Sequence, residues 1–108
     1  MYTDSSIISP VIEKEDIVSL HFPDHEVLES LEDIKQRRID AERATFLGNG
    51  YLSKVTIHFK DVEGFKKVET TIWEVTETKI ALKNGIGIPL HRVIKVDAPK
   101  ESLKYPNI

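Results

Sequence analysis

The sequence predicts a mostly β domain of the α+β class, in which one acidic helix precedes about five short antiparallel strands that meander and curl into a small barrel. Three observations carry this expectation. Apolar residues from Val27 to Ile34 recur at helical spacing, those from Val55 onward alternate with polar ones, and Asn84-Gly85 is a strong hairpin signal. With 108 residues, 40% of them apolar, the chain suits a single core that requires neither metal nor disulfide.

Residues 1–22 read as an N-terminal arm, within which Ile17, Ser19 and His21 alternate with Val18, Leu20 and Phe22 as a short edge strand. Pro23-Asp24 stops the extended run. Asp24 is placed to cap a helix whose stripe is Val27, Leu28, Leu31 and Ile34, and which extends into the low forties before Gly48 offers a stop. Helix and barrel together span residues 23–97. Val55, Ile57 and Phe59 make the buried face of the first barrel strand, with Lys54, Thr56, His58 and Lys60 on its polar face. After a turn at Asp61-Val62-Glu63-Gly64, a long second strand sets Val68, Thr70 and Ile72 against Thr71, Trp73 and Val75. Ile80 to Leu82, Ile86 to Leu90 and Val93 to Val96 supply three more. Asn84-Gly85 suits a type I′ turn, whose two central residues both need positive φ. Pro89 cannot donate to a ladder and belongs at an edge or bend. Residues 98–108 read as a polar tail anchored only by Leu103, Tyr105 and Ile108.

The net charge of −3 conceals a division along the chain. Residues 1–34 carry nine acids against Lys14 alone, −8, and residues 35–108 carry nine acids against fourteen bases, +5. Such polarity either steers a charged partner or is neutralised within the fold. The absence of cysteine excludes thiolate chemistry and Cys-type zinc sites and fits a reducing compartment. No signal-like start or membrane-length apolar run is present, so a cytoplasmic location with no membrane partner is expected.

Catalytic chemistry finds no foothold. His21 and His25 stand at i and i+4, the spacing of helical metal ligands, but Pro23 lies between them and no third ligand is evident. His58 and His91 have no neighbouring Ser or Cys to activate. Gly85-Ile86-Gly87 lacks the Lys-Ser/Thr of a phosphate loop and precedes no helix. A non-enzymatic protein without cofactor or metal is expected. Two binding surfaces remain. The acids Glu26, Glu29, Glu32 and Asp33 on the helix point to a protein partner, as does any unpaired strand edge, through which self-association is the simplest case. Lys54, Lys60, Lys66, Lys67 and Arg92, with Trp73 as a stacking platform beside Tyr51, Phe59 and Phe65, point less strongly to nucleic acid.

The run from Lys54 to Gly64, a long strand, Ile80 to Gly85, and Ile88 to Asp97 resembles the layout of Sm-like small barrels. It is also similar to the Rho-binding antiterminator family, in which a helix leads into a strand ending in a Lys-Asp-Gly-type turn and a last strand is of the Leu-Asp-Arg-Ile type. The likeness spans residues 24–97. Val62-Glu63-Gly64 departs from the tight turn, and Gly48 to Tyr51 adds residues between helix and barrel. The resemblance implies a regulator that presents acidic surface to a nucleic-acid-binding partner.

Overall fold

The computed structural model describes residues 9–51 and 54–98. Among them are one long helix, α1 (Leu31–Tyr51), and seven strands: β1 (Val11–Ile12), β2 (Val55–Asp61), β3 (Gly64–Thr70), β4 (Glu74–Val75), β5 (Lys79–Ala81), β6 (Gly87–Pro89) and β7 (Val93–Asp97). They form a four-stranded sheet in the order β1-β3-β2-β7 and a three-stranded sheet in the order β4-β5-β6. The α+β class is as expected, but no closed barrel is found among the described residues. The tail anchors Leu103, Tyr105 and Ile108 and the first eight residues lie outside the described residues.

β2 and β3 pair antiparallel from Val55↔Thr70 to Asp61↔Gly64, and the alternation read from the sequence sets their faces. Val55, Ile57 and Phe59 meet Val68, Thr70 and Ile72 in the core, joined by Ile80, Leu82, Ile88 and Val93. The expected long second strand is broken. Pairing to β2 ends at Thr70, residues 71–73 belong to no strand, and β4 then pairs with β5 in the other sheet. Ile72 is buried and Trp73 and Glu74 are exposed, so the alternation slips where the chain changes sheet.

The segment expected as an edge strand, Glu15 to Phe22, instead begins with a 3-10 turn at Lys14–Ser19. Its three-residue period sends Ile17 and Leu20 inward and leaves Val18 exposed. Phe22 follows, its ring 5.9 Å from that of Phe59. The edge strand lies earlier, where β1 runs parallel to β3.

Helix α1 starts at Leu31 rather than near Asp24. Ser30 is the cap, its Oγ accepting from the Asp33 N–H at 3.0 Å. Residues 24–30 cannot extend the helix because their N–H groups are engaged elsewhere: Val27 donates to the His91 carbonyl and Leu28 to Glu26 Oε2, both at 2.9 Å. At the other end the helix continues through Gly48 to Tyr51. It packs on β7 and β4 through Ala41 and Ala44, whose small side chains allow a close approach.

A hairpin turns at Asn84-Gly85, but its loop is one residue longer than the two-residue type I′ turn expected, with Ala81 opposite Gly87 and Lys83 to Gly85 between the strands. Asn84 and Gly85 both have positive φ, 65° and 76°, and Leu82 donates to the Ile86 carbonyl at 2.7 Å. Pro89 lies on β6, an edge of its sheet. Space around Gly85 is open, so only backbone strain opposes a side chain there. Gly85→Val is expected to lower stability by about 1 kcal/mol or more, read as a reduced melting temperature.

Candidate functional site

Of the four acids assigned to a helical binding face, Glu26 is half-buried and already engaged. Arg37, on the inner side of α1 and only 4% exposed, donates to both Glu26 carboxylate oxygens, at 2.6 and 2.8 Å, and to the Val93 carbonyl at 3.0 Å. Burial works against the Glu26 carboxylate, but the hydrogen bonds from Arg37 and the Leu28 N–H outweigh it and hold the carboxyl below its ordinary range. Glu26 and Glu29 also precede the helix. Glu29, Glu32 and Asp33 are exposed around its first turn, where acids favour the positive end of the helix dipole.

The outward side of α1 holds what the sequence reading missed. Leu31, Ile39 and Phe46 are exposed there, with Lys35 and Glu42 between them. The missed signal was that Ala41, Ala44 and Arg37 share one side of the helix, leaving the larger apolar residues on the other. Beside this helix opens a cleft of about 460 Å³ between α1, the Glu77-Thr78 turn and His91. Its charges are largely engaged: Arg37 by Glu26, and Arg38 by the Thr76 carbonyl and Glu42.

The basic candidates are divided. Arg92 is buried, donating to the Lys60 carbonyl at 3.0 Å and the His25 carbonyl at 2.9 Å, so it is a structural clamp rather than a phosphate contact. Lys66 is drawn onto the buried Asp61, 3.0 Å from both carboxylate oxygens. Asp61 also accepts from the N–H groups of Glu63 and Gly64, which fixes the β2–β3 turn. Burial opposes ionisation of Asp61, yet Lys66 and these N–H groups hold its carboxyl low. Lys54 is exposed, and Lys60 and Lys67 are partly so. Lys60 lies 5.0 Å above the Phe65 ring, and Lys67 and Lys95 flank His58 on the neighbouring strands. Trp73 is exposed at the break between the sheets, apart from that row, and Phe59 is a core residue.

His58 was expected on a polar face and is buried. Its Nε2 meets Asp97 Oδ2 at 2.9 Å, while Nδ1 has no partner among the described residues. Burial lowers its pKa, and Lys95 and Lys67 add to this against the raising effect of Asp97. Among the described residues no group of three or more His, Asp or Glu side chains is placed to hold a metal, and no helix is long and apolar enough to cross a membrane. Comparison with protein-family models, curated proteins and solved structures finds no match.

Glu26→Ala leaves the Arg37 guanidinium buried without its counter-ion and is expected to cost about 3 kcal/mol in denaturant unfolding. Arg37→Met leaves Glu26, which is partly exposed, free to hydrate, and should cost clearly less. A second prediction concerns His58, whose native pKa lies below the ordinary 6.5. Between the two values the unfolded chain binds the proton and the native state does not, so stability falls as pH drops below about 6.5. His58→Gln should flatten that limb of the stability curve in melts taken across this range.

Proposed function

We propose that this protein is a non-catalytic binding module whose partner is another protein, contacted through the outward side of α1. The observation that carries the reading is the exposure of Leu31, Ile39 and Phe46 on the side of the helix opposite its buried alanines. Large apolar side chains gathered on one face supply binding energy that scattered surface charges do not. Glu32, exposed and next to Leu31 on the helix, borders the stripe and adds charge selectivity. The small-barrel reading belongs to the same proposal. β3 and β4 are one run of chain passing from sheet to sheet at residues 71–73, which supports a single bent strand wrapped on a shared core. A regulator of the antiterminator kind, acting by protein contact, fits that combination.

A second reading, nucleic acid on the outer face of the four-stranded sheet, has the row Lys60, Lys67 and Lys95 with exposed Phe65 in its favour. Glu69 and Asp97 on the same face weaken it. The two separate by capture experiments with the immobilised full chain in native extract. A specific protein is expected to be retained by the wild type and by the triple variant K60Q/K67Q/K95Q, and lost from L31E/F46E, with all three showing the same circular dichroism. Retention of RNA that only the lysine variant abolishes would hand first place to the second reading.

A further inference from the structure

Helix α1 is apolar on the side that faces away from its own sheet. Toward the sheet it turns Ala41, Ala44 and the guanidinium of Arg37, while Leu31, Ile39 and Phe46 are 73%, 42% and 69% exposed. At about 100° of rotation per residue these three fall on one stripe with Lys35 and Glu42 among them. Single exposed apolar residues are ordinary. Three of them on one line, behind a face of alanines, describe a helix with two sides to bury.

We infer that the occupant of this stripe is a second copy of the chain, its α1 lying antiparallel across the first. The inference rests on the reading of α1 as the binding surface and names the partner. Its basis is that the stripe is complementary to its own reverse. When two copies of the helix align antiparallel about a point between Arg38 and Ile39, Leu31 of one copy stands opposite Phe46 of the other. Lys35 likewise stands opposite Glu42, and symmetry repeats both pairings. The two Ile39 side chains flank the axis. A parallel alignment loses this match by setting Lys35 against Lys35. Arg38 is the cation nearest the axis, and it is already drawn aside, donating to the Thr76 carbonyl at 2.8 Å and to Glu42 at 3.2 Å. Antiparallel helices also place opposite ends of their dipoles together. The stripe is about 22 Å long from Leu31 to Phe46, which puts the contact at the small end of stable interfaces and makes the dimer concentration-dependent.

Sedimentation equilibrium of the full chain over a concentration series tests this. The average mass should rise from that of one chain toward that of two, and Ile39→Glu or Phe46→Glu should hold it at one chain with an unchanged circular dichroism spectrum. Lys35→Glu and Glu42→Lys should each weaken association by roughly tenfold or more, because each creates a like-charge pair twice. Mixed in equal amounts, those two variants should associate as the wild type does, since every facing pair is again of opposite sign. The chain has no cysteine, so Leu31→Cys and Phe46→Cys should form a disulfide with each other when mixed and not when oxidised separately. A wild type that is monomeric throughout, a dimer indifferent to Ile39→Glu, or a charge-swapped mixture no better than its components overturns the inference. A monomeric chain that still loses a captured protein in L31E/F46E overturns the second copy alone and leaves the binding-module reading standing.

Discussion

Satisfying the buried guanidinium of Arg37 constrains the whole arrangement. A charge removed from water must be paired and its donors used, or the cost runs to several kcal/mol. Arg37 meets most of that demand with two bonds to Glu26 and one to the Val93 carbonyl, its Nε having no partner among the described residues, and so fixes three pieces of chain against one another. These are the irregular segment before the helix, the helix itself and the start of β7. Arg92 repeats the device from the other side, clamping His25 and Lys60 through their carbonyls. Between them, the two arginines hold residues 24–30 in a path with little regular backbone bonding. That path is also why the helix begins at Leu31, capped by Ser30, and not near Asp24.

The charge division along the chain is bridged at one place in the fold. Glu26 belongs to the acidic first third and Arg37 to the basic remainder, and they meet at the edge of the interior, the arginine buried and the carboxylate partly exposed. Asp61 and Lys66 pair within the basic part, at the β2–β3 turn. The rest stays on the surface, as acids around the first turn of α1 and lysines on the outer sheet face interrupted by Glu69 and Asp97.

Local and periodic information was legible in the sequence. The Asn84-Gly85 hairpin depends on two residues tolerating positive φ, and the core phase of Val55, Ile57 and Phe59 depends on strand alternation, so neither needed distant partners to be known. The parts that were not legible depend on contacts far apart in the chain. His58 is polar by position but buried, because Lys67 on β3, and Lys95 and Asp97 on β7, surround it. The break in the second strand at residues 71–73 reflects a change of sheet that alternation alone cannot report. Val27 and Leu28 had the spacing of a helix, but the His91 carbonyl and Glu26 captured their N–H groups first. Of the candidate site residues, Arg92 and Glu26 were chosen for their charge, and that same charge is what the interior uses.

This use of charge inside explains the character of the helix outside. A helix that buries leucines against a sheet is held at their distance, whereas α1 lies on Ala41 and Ala44 and comes close enough for Arg37 to reach the Val93 carbonyl. Its fixation therefore comes from close packing and the ion pair, not from a broad apolar stripe facing inward. Leu31, Ile39 and Phe46 are left without a role in holding the helix to its own sheet. Substituting them costs the fold little by the same argument, so changes at these three positions probe surface contacts of α1 without disturbing the packing that holds it to the sheet.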